Sequence, residues 1–226
     1  NVVSFLYGPH PTQPLGWFKR PVTRVEDFRG LKYRTVGISI DLFQAMGAAV
    51  NALPGGEIVA AIDRGLLDAA EFNNASSDRA LGFADVSKIC MLQSYHQNAE
   101  QLEISFNKTK FNALPPKLRA IIEGAVEACS QDMQWKAIDR NSQDYITLQT
   151  TDKVRFFKTP DPILKRQLEL YDEITKKYVG TNPLFKEIIE SQLAFAKRAT
   201  RWEQDYITNR RMAFDHYFGP NAKSPI

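Results

Sequence analysis

The sequence predicts an α/β fold with mostly parallel strand pairing, and three observations carry that expectation. Between Leu31 and Phe72, strand-type and helix-type spacings alternate in the order strand, helix, helix, strand, the pattern from which βα units are built. The hydrophobic fraction of 43% and the charged fraction of 24% are those of an ordinary globular protein with its own core. At 226 residues the chain has room for one large domain or two small ones.

The elements follow in chain order. Val2–Tyr7 reads as a short apolar strand, and the segment from Gly8 to Gly16 is loop chemistry, rich in Pro and Gly. Asn1–Tyr7 lacks a basic n-region and reads as a strand entered partway rather than as a signal peptide. Trp17-Phe18 is a bulky anchor, and Val25–Gly30 is one helical turn closed by glycine. Leu31–Val36 alternates as a half-buried strand does. Ser39 is read as the N-cap of a helix through Leu42, Phe43, Met46 and Val50. Ile58, Ala61 and Ile62 line a second helix ending at Gly65, and Leu66–Phe72 is read as the next strand. Asn73–Ser77 is a polar loop, and Leu102–Asn107 has the cleanest period-two alternation in the chain. A helix is expected at Lys117–Lys136 after Pro115-Pro116, and a strand around Val154–Phe157.

The remainder reads as helical. Leu164, Leu168, Tyr171, Ile174 and Tyr178 form one apolar stripe, broken by Gly180 and Pro183. A second stripe runs from Leu184 to Tyr217 through Ile188, Phe195, Trp202, Tyr206 and Ala213 and predicts one long amphipathic helix. Such a helix is laid either across the protein's own core or against a partner subunit.

Several classes of chemistry have no support. The 29 basic and 26 acidic side chains are too evenly balanced for a nucleic-acid partner. No apolar run approaches the roughly 20 residues of a membrane helix. Cys90 and Cys129 form no C-x-x-C pattern, so they are a single disulfide or two buried thiols rather than a zinc site. There is no G-x-S-x-G, P-loop or H-E-x-x-H, and His10, His96 and His216 are isolated in sequence.

Three polar residues stand where an α/β unit binds ligands, at strand ends and loop starts. Arg34 ends the strand at Leu31–Thr35, Glu71 ends the strand at Leu66–Phe72, and Gln13 lies in the Pro/Gly loop. A cation, a carboxylate and an amide can converge there on a small anion. The same residues also have plainer readings: Glu71 paired with Arg34 or Lys32, Gln13 capping a turn, Trp17 a packing anchor, Tyr95 and His96 ordinary wall residues.

An ordered set of segments resembles a known family. Gly16-Trp17-Phe18 followed by Val25–Arg34, then Gly55–Phe72, Leu81-Gly82-Phe83, Tyr95-His96-Gln97 and Phe111–Pro116 are similar to the solute-binding proteins of TRAP transporters. The similarity runs in order from Gly8 to Phe218, with the branch that receives 2-oxo acids, also labelled mannitol/chloroaromatic, as the nearest match. The resemblance implies a periplasmic-binding-protein-like two-lobe architecture with hinge strands and a long C-terminal helix. It places an α/β ligand-binding lobe at 8–71, a hinge strand with part of the other lobe at 72–125, and a helical region packing across the lobes at 126–226. Members of the family open with a full α/β lobe before the Pro/Gly loop, and that lobe supplies one wall of the cleft.

Function and site residues also follow from the resemblance. It implies a periplasmic receptor, not an enzyme, that closes over a small organic carboxylate and delivers it to the transporter's membrane subunits. Arg34 matches the arginine that clamps the carboxylate, a role suited to its two parallel donors. Gln13 and Glu71 match the side chains that ligate a bridging cation, Na+ or Ca2+, with the Phe72 carbonyl as a further ligand. These are the oxygen donors that hard cations take. Phe72 stands where the branch commonly has Trp, so the pocket wall differs. Trp17, Phe72, Asn73, His96 and Gln97 are expected along the cleft, Gln97 where some relatives have Glu. The rival readings are a metal-dependent enzyme using Glu71 as base on a 2-oxo acid, and a dimerisation module built on the last helix.

Overall fold

The computed structural model describes residues 1–220 apart from Pro11 and Asn98. The chain divides into two compact units, Asn1–Asp172 and Glu173–Ile226. The first unit holds two sheets. Strand β1 (Val2–His10) carries the opening strand past the expected end at Tyr7, through Gly8 and Pro9. A short β2 (Gly16–Phe18) follows the Pro/Gly loop. A 3-10 turn at Val25–Phe28 precedes β3 (Lys32–Arg34). Helix α1 covers Ser39–Ala45 and β4 Ala49–Asn51. Helix α2 (Ile58–Asp63) leads to β5 (Ala69–Ala70). Then come α3 (Ala75–Leu81), α4 (Phe83–Val86), β6 (Ile89–Leu92) and β7 (Glu100–Asn107). Helices α5 (Lys108–Asn112) and α6 (Pro116–Thr150), strand β8 (Arg155–Lys158) and α7 (Asp161–Thr181) complete the series.

The larger sheet has the order β4-β3-β5-β2-β6-β8. Pairing is parallel for β3 with β4, β3 with β5 and β6 with β8. The short β2 runs antiparallel to both β5 and β6, which makes the sheet mixed at its centre. The period-two segment expected at Leu102–Asn107 is the core of β7, which pairs antiparallel with β1 in a separate two-stranded sheet. Its alternating burial explains why its signal was the clearest.

Four local expectations are corrected. The helix expected to reach Val50 stops at Ala45, because Gly47 sits at φ +96° and turns the chain into β4, where Val50 lies. Ser39 is not an N-cap: it is the first residue of α1, and its Oγ donates to the His96 carbonyl at 3.3 Å. The strand expected over Leu66–Phe72 is reduced to Ala69–Ala70, since Leu66 is exposed and Leu67 turns inward. The helix expected to end at Lys136 continues to Thr150. The cysteines are both free, Cys90 buried in β6 and Cys129 exposed on α6.

The core packs around Trp17, Ile58, Ile62, Leu67, Phe83 and Leu148. A second aromatic group, with Phe28 stacked on Phe43 and Tyr33 against Phe43 at 4.4 Å, covers the side of β3. Each large side chain buried in this way contributes about 1.5–3 kcal/mol.

The second unit contains the end of α7, then α8 (Pro183–Tyr206) and α9 (Arg210–Phe218). The break after α7 is where Pro183 placed it: Asn182 caps α8 by accepting from Phe185 N–H, and Pro183 occupies the first turn. The single helix expected over Leu184–Tyr217 is two helices. Asn209 accepts from the N–H groups of Arg211 and Met212 and so starts α9 afresh.

Candidate ligand-binding site

Strand register brings the polar residues together. In the parallel pair β3–β5, Arg34 lies opposite Ala70, so Arg34 and Glu71 emerge at the carboxyl ends of adjacent strands. Gln13 is delivered to the same place by the loop before β2. That approach depends on Gly16, at φ +138°, where a Cβ would stand 2.5 Å from the Ala70 carbonyl oxygen.

The result is a buried polar cluster. Arg34 is 5% exposed and Glu71 1%. The Arg34 Nη1 donates to Glu71 Oε1 at 3.0 Å and to the Glu71 carbonyl at 2.9 Å, while Nε donates to the Leu53 carbonyl at 2.9 Å. Its Nη2 makes no hydrogen bond among the described residues. The plainer reading of Glu71, an ion pair with Arg34, is thus present in the structure. Gln13 Nε2 donates to Glu71 Oε2 at 2.9 Å and contacts His96 Nε2 at 3.1 Å. The His96 Nδ1 lies 2.7 Å from Ser94 Oγ, which in turn donates to Gln167 Oε1 at 3.1 Å in α7. This chain assigns the proton to Nδ1 and leaves Nε2 as the acceptor of the Gln13 amide.

Burial sets the charges. Desolvation raises the Glu71 carboxyl from its ordinary value, and the Arg34 guanidinium and the hydrogen bonds of Thr35 and Gln13 pull it back. Burial lowers the His96 imidazole to about 4, so it is neutral near pH 7. The Arg34 guanidinium faces the Glu71 carboxyl group, with a neutral imidazole beside them.

One buried oxygen at the cluster, Gln13 Oε1, has no hydrogen-bond partner among the described residues. An orphaned amide oxygen beside a carboxylate is what a hard cation would satisfy. Gln13 and Glu71 are the side chains that can hold one, with a backbone carbonyl such as that of Phe72. Among the described residues no group of three or more His, Cys, Asp and Glu is disposed to hold a metal ion.

The other expected residues stand around this cluster at different depths. Phe72 is half-buried, lies 6.0 Å from the Arg34 guanidinium carbon and stacks on Phe83. Gly55 makes room for it, since a Cβ there would meet the Phe72 ring at 2.5 Å. Asn73 is half-buried and donates its side-chain amide to Glu100. Gln97 is half-buried, and no hydrogen bond or ion pair joins it to the cluster among the described residues. Trp17 does not touch the Arg34–Glu71 pair through a hydrogen bond. It is a buried anchor whose indole N–H is taken by Asp78. Trp17 also lines an apolar cavity of about 410 Å³ with Leu92, Tyr145 and Phe156, and Gln13 stands on its edge. A larger recess of about 620 Å³ is a charged surface feature in which Arg79 is held by Asp144 and Asp152.

Sequence reasoning missed Ser94, Gln167 and Asp78. The one available signal for Asp78 was the tryptophan itself, because a buried indole N–H requires an acceptor.

The chain is similar in sequence and fold to known proteins. The chain is 27% identical over 206 residues to a monocarboxylate 2-oxoacid-binding periplasmic protein of Nostoc sp., covering 90% of this chain and 56% of that protein. It superposes with TM-score 0.87 and 26% identity on a TRAP periplasmic solute-binding protein from Colwellia psychrerythraea whose crystal structure holds calcium and pyruvate, covering 95% of this chain and 64% of that one. A TRAP protein from Pseudoalteromonas atlantica, crystallised with sodium and pyruvate, has the same fold at TM-score 0.86 and 23% identity, covering 96% of this chain and 65% of that one. The chain thus spans less than two thirds of the length of these relatives. Residues 12–181, from the loop that carries Gln13 to the end of α7, match the family described as bacterial extracellular solute-binding protein, family 7, and the chain belongs to that family, DctP.

Proposed function

We propose that this chain is the ligand-binding part of a periplasmic receptor of a TRAP transporter. It takes up a small monocarboxylate of the 2-oxo acid class, such as pyruvate, and delivers it unchanged to the membrane subunits. The observation that carries the reading is the unused Arg34 Nη2, set beside a buried Glu71 and an unpartnered Gln13 oxygen. Glu71 already occupies Nη1 of the only guanidinium in the cluster. A cation held by Glu71 and Gln13, with the Phe72 carbonyl, offsets the carboxylate and leaves Arg34 to take the incoming anion. Calcium and sodium both suit such donors, and the Colwellia relative holds calcium with its pyruvate. Phe72, Asn73, His96, Gln97 and Trp17 then form the surroundings of the ligand, the last from behind.

Two further readings belong to this proposal. It divides the chain into a ligand-binding lobe at 8–71, a hinge with part of the other lobe at 72–125, and a mainly helical region from 126 onward that also contributes β8 to the sheet. The exposed stripe of Leu184, Ile188, Phe195, Trp202 and Tyr206 on α8 supports a homodimer through that helix.

The test is ligand-dependent melting against a panel of small carboxylates, with and without calcium or sodium. Ligand at 100 times its Kd adds about 2.7 kcal/mol to stability, a rise of roughly 5–10 °C for a chain this size. A cation-dependent rise with 2-oxo acids, and recovery of the acid unchanged, is the expected result. Stabilisation independent of any cation removes the bridging role, no stabilisation by any carboxylate overturns the receptor reading, and consumption of the acid makes the protein an enzyme.

A further inference from the structure

Asp78 lies outside the Arg34–Glu71 pair, yet its carboxylate is as deeply buried, at 1% exposure. Each oxygen accepts one hydrogen bond. Oδ1 takes the backbone N–H of Asn73 at 3.0 Å, and Oδ2 takes the indole Nε1–H of Trp17 at 2.8 Å. No cation pairs with it among the described residues, and the Asn73 and Trp17 donors are both neutral. Burying an acid on such terms is costly, so the informative question is what it holds. Asn73 follows directly on Glu71 and Phe72. Trp17 lies in β2, opposite Ala70 of β5. Asp78 therefore ties the turn that presents Glu71 and the Phe72 carbonyl to the strand that packs beside it. Asn74 supports the same turn, its side chain accepting from Ser77 N–H at the start of α3.

We propose that Asp78 is a positioning residue of the ligand site, bracing the Glu71–Phe72–Asn73 turn against Trp17 so that the Glu71 carboxylate and the Phe72 carbonyl are held for the cation. The inference rests on the receptor reading above. It assigns to Asp78 no contact with ligand or cation.

Two measurements on the full chain test it. Asp78→Asn keeps the shape but turns an N–H2 group toward one of the two donors. In ligand-free protein, hydrogen exchange at the amides of Phe72 and Asn73 is expected to rise about tenfold or more while exchange in β3 and β6 is unchanged, and the Trp17 indole resonance shifts. By calorimetry, affinity for calcium and for pyruvate falls about tenfold or more. In a Trp17→Phe background, where Oδ2 has lost its donor, the further loss on Asp78→Asn is less than half as large on a logarithmic scale. Exchange unchanged in the turn, or raised evenly over the whole unit, overturns the brace. Wild-type protein that binds normally beside an Asp78→Asn variant that binds as tightly overturns this proposal alone, whereas wild-type protein that binds neither probe overturns the receptor reading beneath it. Should Asp78→Asn fail to fold, Trp17→Phe by itself is expected to raise exchange at Phe72 and Asn73, and no rise there sinks the idea.

Discussion

Removing the Arg34 guanidinium leaves the Glu71 carboxylate buried without its cation. Arg34→Ala should therefore cost about 3–5 kcal/mol of stability near neutral pH as well as ligand binding. The double variant Arg34→Met/Glu71→Gln removes both charges and should recover most of that stability while remaining unable to bind carboxylate. Denaturant unfolding and calorimetry on the same samples check both halves, and a double variant no more stable than Arg34→Ala contradicts the pairing argument. A pH prediction belongs to this scale too. Burial first, with Glu71 adding to it, raises the Asp78 carboxyl to about 7 in the fold from an ordinary 3.8. Folded protein then holds more protons than unfolded protein between those values, and stability from this group declines as pH rises toward 7. His96, lowered to about 4 from 6.5, has the opposite sign and loses stability as pH falls through that window. The two nearly cancel between pH 4 and 6.5. In chelator-treated protein, Asp78→Asn should unmask a melting temperature that drops on acidification, and His96→Asn one that climbs. Unaltered pH profiles in both variants would show that neither group carries the linkage.

At the scale of elements, the site depends on a close approach of β2 to β5. Gly16 permits it, since any side chain there would press on the Ala70 carbonyl. Gly16→Ala is expected to cost roughly 1–3 kcal/mol from overpacking, with backbone strain added. It should also weaken ligand binding, because Gln13 and Glu71 lie on either side of that contact. Loss of stability with unchanged affinity would separate the packing of β2 from the geometry of the site. The element boundaries show where local reasoning reached and where it stopped. The β7 alternation was visible because one face of the strand is half-buried and the other is exposed. Residues Leu66–Phe72 read as a longer strand because their apolar character is shared by the turn that leads into β5. Val50 read as helical because its spacing from Met46 fits a helix, and only the chain reversal at Gly47 assigns it to β4.

At the scale of the molecule, α8 presents a continuous apolar stripe with Ile188, Phe195 and Trp202 all exposed. If this face joins two copies, Phe195→Glu with Trp202→Glu should raise the dimer dissociation constant at least about tenfold, since each buried aromatic contributes about 1.5–3 kcal/mol. Sedimentation equilibrium at several concentrations measures it, and wild-type protein that stays monomeric at high concentration removes the dimer. Ligand-induced melting of the variant should be retained, because the stripe shares no residue with the Arg34 cluster.

The sequence by itself determined the α/β class, most of the helices and strands, and, through its ordered motifs, the family and the candidate trio of Gln13, Arg34 and Glu71. These are legible because periodicity, caps and motif spacing act over a few residues. Only the tertiary structure decided that β2 enters the sheet antiparallel between β5 and β6. It alone decided that Arg34 and Glu71 form a buried pair. The same holds for Asp78, whose carboxylate accepts from Trp17, 61 positions away. Strand order, burial and the partner of a buried charge are set by contacts between distant segments, and no local pattern in the chain encodes which of those contacts forms.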